Sequence, residues 1–375
     1  MGERQKRLSI PKILLVSLVF ITIFLTKFIA GNQPIVCISE GHWSFSVFEK
    51  NSPFLQHKKE CSFSWNPIIP YSPYEIDTKN SHKSPFDTQD VSSLKYRHWL
   101  GTDKIGRDVA SGIIHGARIS LGIGLLATIL GLLFGVPTGM VMGYYQDNGI
   151  QWNRIQLFLL FLLIILFGFY FFFLFEKIRL ILWIPILISC FFVIKCTMDL
   201  TGKLPYKKYN FPIDLLGFRV LEWRKSIPAL FLLLALLSLF SKPSLWHIIG
   251  IIALLSWADI ARLIRAETLT LKNQLYVQSA VVMGFSHGYI MYKYILPGLK
   301  GTIVVIAVYI MAGTILMEAT LSFLGIGLPV EEVTWGKMLS ESRNAKSWWM
   351  AVFPGFCLIS LLFYLHKFTH YKNFE

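Results

Sequence analysis

Residues 276 to 297 read YVQSAVVMGFSHGYIMYKYILP. This polar, partly basic stretch lies between two long apolar runs. Tyr276, Ala280 and Met283 recur at helical spacing on one side, which predicts a short helix. Gly284 follows and can stop that helix in a left-handed conformation. Gln278 is polar, and the small Ser279 and Ala280 allow close approach of a neighbour. Ile295-Leu296-Pro297 then opens the next apolar run. An exposed helix of this kind can dock its apolar face in a groove of a partner. An amphipathic helix lying in the membrane interface fits the same residues.

The rest of the chain says what surrounds that stretch. Of 375 residues, 54% are hydrophobic and 15% charged, and mean hydropathy is +0.53. Soluble domains carry about 25% charged residues, and several runs here approach the ~20 residues that cross a bilayer. The composition excludes soluble and disordered classes and implies an all-α, polytopic transmembrane helical bundle. The net charge of +14 sits in short loops beside apolar runs, so it reads as topology and not as a nucleic-acid surface.

Eight spans are expected, at about 10–30, 117–145, 155–175, 179–199, 226–242, 245–263, 301–325 and 348–365, with both termini inside. The first is read as an uncleaved span. The segments are a tail and first span (1–30), an outward loop segment (31–115), a helical core (116–149 and 212–368) with a cytoplasmic loop at 262–300, and an inserted transmembrane hairpin (150–211). Cys37 and Cys61 share the outward segment, where an oxidising compartment permits a disulfide. Gly131, Gly135, Gly139 and Gly143 repeat every four residues and predict close helix packing. Asp259 and Arg262, and Arg219 and Glu222, are spaced to pair on helix faces. Glu318 lies 18 residues beyond Lys300, about 27 Å along a helix, near the outer boundary of an apolar run.

Gly284-Phe285-Ser286-His287-Gly288 matches the G-x-S-x-G of a nucleophile elbow, which needs a strand before it and a helix after. His366 and His370 are four apart with no third ligand nearby, so no metal site is expected. No P-loop pattern is present.

Four stretches together resemble one family, the peptide/nickel-type permeases of binding-protein-dependent importers, and within it the C-type subunit of dipeptide and oligopeptide transporters. The first holds Gly101, Thr102, Asp103, Gly106, Arg107 and Asp108, followed by Gly116-Ala117-Arg118-Ile119-Ser120-Leu121. The second holds Arg219, Glu222 and Pro228. The third is the stretch quoted above, which resembles the EAA loop, although its Glu-Ala-Ala slot reads Gln278-Ser279-Ala280. The fourth runs from Glu318 through Ser322 and Gly325 to Trp335-Gly336 and Phe353-Pro354-Gly355. The hairpin at 155–199 departs from the six-span pattern of that subunit.

The resemblance implies a type I importer permease fold in a bacterial inner membrane. It implies a non-catalytic subunit that moves peptides or a related small solute and binds no cofactor, with ATP bound elsewhere. The implied partners are a second permease, two ATPases, an extracytoplasmic substrate-binding protein and lipid. Tyr276, Gln278, Ser279, Ala280, Met283, Gly284 and Pro297 are then the ATPase-coupling residues. Two other readings stand beside it. One is a secondary transporter, which ion-gradient dependence would reveal. The other is a membrane-embedded serine hydrolase, which would lose activity on Ser286→Ala.

Overall fold

A computed structural model describes residues 26–39, 42–44, 63–147, 151–153, 208–241, 243–326 and 332–371. The expected spans at 155–175 and 179–199, most of the span at 10–30, and the Cys37–Cys61 pairing lie outside what is described. The chain is mostly helical, with two small antiparallel sheets that an all-α expectation did not include. In one, β1 (Val36–Ser39) lies between β2 (His42–Ser44) and β3 (Phe63–Trp65). In the other, β4 (Gln151–Asn153) pairs with β5 (Lys208–Asn210), Asn153 opposite Lys208. That pairing brings together the two ends of the inserted segment.

The helices are α1 (Thr26–Ile29), α2 (Val109–Tyr145), α3 (Ile213–Ser226), α4 (Ala229–Leu237), α5 (Leu245–Lys272), α6 (Leu275–Val282), α7 (His287–Ile290), α8 (Leu296–Phe323), α9 (Trp335–Ala345) and α10 (Trp348–Tyr371). One π turn, Met291–Ile295, joins α7 to α8. Among the described residues, four helical stretches are long and apolar enough to cross a membrane: Val109–Tyr145, Leu245–Lys272, His287–Phe323 and Trp348–Lys367. The single span expected over 226–242 is corrected. The helix there is only the nine-residue α4, with Pro228 as its N-cap; Ile227, which that proline disfavours as helical backbone, separates it from α3, which lies before the expected span. At 1.5 Å per residue α4 is about 14 Å long, roughly half a bilayer core.

The chain divides into two compact units. One takes the described residues up to Val136, with Arg224–Ala261 and the part from Lys300 onward. Its core includes three apolar clusters, one built on Leu121, Ile315 and Leu361, one on Leu233, Ile252 and Leu321, and one on Val109, Met338 and Trp349. Glycine makes the helix crossings. A Cβ on Gly124 would stand 2.4 Å from Ile315, and one on Gly135 would stand 2.7 Å from Ile260. The other unit takes Pro137–Trp223 and Arg262–Leu299. There a Cβ on Gly143 would stand 2.8 Å from the Arg265 carbonyl and from Thr268. The glycine repeat of α2 is therefore a packing stripe, because backbones in an apolar medium associate by close approach.

Candidate functional site

The quoted stretch lies wholly in the second unit, on a platform made by its neighbours. Asp147 accepts the Leu215 N–H at 2.9 Å, tying the end of α2 to the start of α3. Arg265 of α5 forks onto the Asp214 carboxylate of α3, with Nη2 donating to Oδ2 at 2.5 Å. Both oxygens are engaged, the strongest arrangement for this pair. Lys272 donates to Gln146 at 3.1 Å. The Tyr144 hydroxyl and His287 Nδ1 are 2.9 Å apart, fixing α7 to the end of α2.

On this platform α6 presents two different sides. Val277 and Ala280 are fully buried, as are Ile290, Ile295 and Leu299 beyond the turn. The expected apolar face of Tyr276, Ala280 and Met283 is therefore corrected. Ala280 is fully buried, and Tyr276 and Met283 flank it as exposed residues. The outward stripe is Leu275, Gln278, Ser279 and Val282, at i, i+3, i+4 and i+7. Leu275 is 80% exposed and Val282 87%.

Gly284 ends α6 with φ +79°. Its N–H donates to the Val281 carbonyl at 3.0 Å, and the Phe285 N–H donates to the Ala280 carbonyl at 3.3 Å. These two bonds form a Schellman stop, which satisfies carbonyls that a helix end leaves open. A Cβ on Gly284 meets nothing within 4 Å, so glycine is there for its backbone and not for space. Ser286 follows as the N-cap of α7. A helix precedes the G-x-S-x-G match where a nucleophile elbow requires a strand, so the hydrolase reading loses its geometry. Pro297 is the second residue of α8, directly after the π turn Met291–Ile295, within the continuous helical stretch His287–Phe323.

The other motif residues lie elsewhere. Arg219 and Glu222 pair at 3.5 Å on an exposed face of α3. Asp259 accepts from Arg224, a partner 35 residues away that sequence spacing did not suggest. The 101–108 motif forms a knot in the first unit. Asp103 Oδ1 accepts the N–H groups of Ile105 at 3.0 Å and Arg107 at 2.7 Å. Arg107 also donates to both oxygens of Glu341 on α9, at 3.0 and 2.9 Å. Asp108 accepts the Ser111 N–H at 2.7 Å, capping α2, and its other oxygen is 2.9 Å from His98 Nδ1. Thr102 donates to the Asn80 carbonyl at 2.5 Å, and its own carbonyl accepts from Trp349 Nε1 at 3.1 Å. Gly101 and Gly106 have φ of +80° and +93°, and a Cβ on Gly106 would stand 2.0 Å from the Asp77 carbonyl. Burial, then Asp77 and Asp108, push the nearby Tyr71 phenol up to about 12.

Glu318 is buried in α8 and accepts from Ser120 at 3.0 Å and Ser322 at 2.8 Å. Gly336 lets α9 start directly on α8, since a Cβ there would stand 2.4 Å from the Ala319 carbonyl. Trp335 donates to the Ile113 carbonyl at 2.9 Å. Gly325 (φ +78°) closes α8 as Gly284 closes α6. Sequence reasoning missed His98, Asp214 and Arg265. Their partners are far off in the chain, and no local pattern marks them.

Residues 200–370 match the family model described as binding-protein-dependent transport system inner membrane component. The chain is 27% identical over 284 residues to the dipeptide transport system permease protein DppC of Alkalihalophilus pseudofirmus, covering 75% of this chain and 72% of that protein. It is 28% identical over 268 residues to the oligopeptide transport system permease protein OppC of Haemophilus influenzae, covering 71% and 65%. It is 27% identical over 247 residues to the glutathione transport system permease protein GsiD of Pectobacterium atrosepticum, covering 66% and 60%. A solved structure of the MetNI methionine ABC transporter in inward-facing conformations is similar at 13% identity and TM-score 0.46, covering 69% of this chain and 93% of that one.

Proposed function

We propose that this multi-pass inner membrane component of a binding-protein-dependent transport system is the permease through which peptides, or a related small solute, are imported at the expense of ATP. The observation that carries the reading is the outward stripe of α6, closed by Gly284 and held on a fixed platform. An exposed apolar helix face on a rigid mount suits a groove in a partner protein, and a rigid mount transmits displacement to the spans attached to it. Two separate ATPases supply that displacement, one on this chain and one on a second permease subunit. A substrate-binding protein delivers solute from the outer side. This chain binds no nucleotide or other cofactor and performs no hydrolysis. Its residues transmit force and line the path.

In this reading Gln278 and Ser279 contact the ATPase. Ala280 and Val277 hold the helix in place from beneath, and Gly284 sets its length. The acid of the EAA pattern is replaced by Gln278, so the contact here relies on hydrogen bonding and shape and not on a fixed charge. Co-expression of a tagged chain with the adjacent transporter genes, followed by solubilisation, tests this. The ATPase should co-purify with the native chain and be lost with Val282→Glu, at unchanged membrane level of the tagged chain. Retention of the ATPase by Val282→Glu would overturn the assignment.

A further inference from the structure

The first unit carries a half-open cavity of about 400 Å³. Its walls come from α4, α5, α8 and α10 and are almost wholly apolar, with Ile252, Leu255, Val308, Met317 and Leu362 among them. Arg224, Asp259 and His366 break the pattern, beside the hydroxyls of Ser256, Tyr309 and Thr314, of which Ser256 and Thr314 donate to carbonyls of their own helices. Arg224 and Asp259 are ion-paired, and Asp259 keeps 40% of its side-chain surface open where Arg224 keeps 15%. His366 ends the apolar run of α10, so it lies at a membrane boundary, on the side that bears the basic Lys367.

We infer that this cavity is a phospholipid site, taking one acyl chain along its apolar walls and a zwitterionic, ethanolamine-type headgroup at Arg224, Asp259 and His366. An acyl chain suits walls that offer almost no polar group. A transported peptide would bury its amides there unpaired, at a cost of about 1–3 kcal/mol each. The charges choose the headgroup. A purely anionic head would gain Arg224 but would also lie beside the Asp259 carboxylate paired to it. A head with a phosphate and an ammonium supplies an anion for Arg224 and a cation for Asp259, with the His366 ring beside them on the lining. The inference needs only a chain that spans a membrane and stands apart from the identity of the transported solute.

Gly313 provides the test. It lines the cavity, and a Cβ there meets nothing within 4 Å, so Gly313→Leu fills the space without displacing a neighbour. The intact transporter complex, purified from nanodiscs of equal phosphatidylethanolamine and phosphatidylglycerol, is analysed by native mass spectrometry. Wild type should retain phosphatidylethanolamine at least five-fold over phosphatidylglycerol. Gly313→Leu should lose that adduct, with assembly unchanged by size-exclusion chromatography. Asp259→Asn should bind but lose the preference for the zwitterionic lipid. Equal retention in wild type and Gly313→Leu would overturn the site. So would displacement of the adduct by transported peptide, which makes the cavity a solute site, or its absence from the wild-type complex, which makes the cavity a subunit contact.

Discussion

Gly284 and Gly106 carry the same backbone sign for different reasons, and substitutions separate them. At Gly284 a side chain has room, so Gly284→Ala costs only the left-handed backbone, about 1–2 kcal/mol. On the proposed docking at α6, the larger Gly284→Trp should stay in the membrane yet uncouple ATP hydrolysis from uptake. At Gly106 a methyl group meets the Asp77 carbonyl, so Gly106→Ala should lower folded yield outright. Retained coupling in Gly284→Trp, measured as ATP hydrolysed per solute imported, would contradict the docking assignment.

His98 offers a pH test at the same scale. It is buried, stacked on Tyr71 at 4.2 Å, and faces Asp108 and Asp77. Burial lowers its pKa, but the Asp108 hydrogen bond and charge, followed by those of Asp77, outweigh it and raise the pKa. A raised folded pKa contributes stability that is full below the ordinary histidine value of about 6.5 and is lost as pH rises through the folded pKa. Thermal stability should therefore fall as pH rises above about 6.5, and the fall should flatten in His98→Gln. An identical pH profile in the variant would remove His98 from the account.

At the scale of elements, the long helices were legible because an apolar run of 20 or more residues has few alternatives in a membrane. The stop of α6 was legible because glycine alone takes the left-handed conformation freely. The face of α6 was not. Tyr276, Ala280 and Met283 share a side by spacing, but spacing says nothing about which side a platform covers. That platform is made by Asp147, Asp214, Arg265 and Tyr144, up to 143 residues from what they touch. The span expected at 226–242 came out longer than α4 because the apolar Leu239 and Phe240 follow the end of the helix at Leu237. Among the element contacts, Arg107 to Glu341 should matter most. Arg107→Met removes charge-assisted bonds worth about 1.5–3 kcal/mol each, so it should lower the melting temperature of the purified complex. Arg219→Ala, on an exposed pair worth at most about 1 kcal/mol, should leave it unchanged.

For the whole molecule, the inserted segment enters and leaves through the β4–β5 pair, with Asn153 directly opposite Lys208. Replacing residues 154–207 by Asn-Gly would turn that pair into a two-residue hairpin, the turn such strands favour. The shortened chain should assemble and import at reduced protein level, as expected of a peripheral addition. A well-assembled complex without transport would place the segment in the mechanism.

The central claim is that ATP bound by other subunits drives solute through this chain by way of α6. Its most direct test is uptake of a labelled dipeptide library by vesicles holding the purified complex and its binding protein. The account predicts accumulation that requires enclosed ATP, persists when ion gradients are collapsed, and falls to background in Val282→Glu. Uptake driven by an ion gradient without ATP, or ATP-driven uptake unaffected by Val282→Glu, would contradict it.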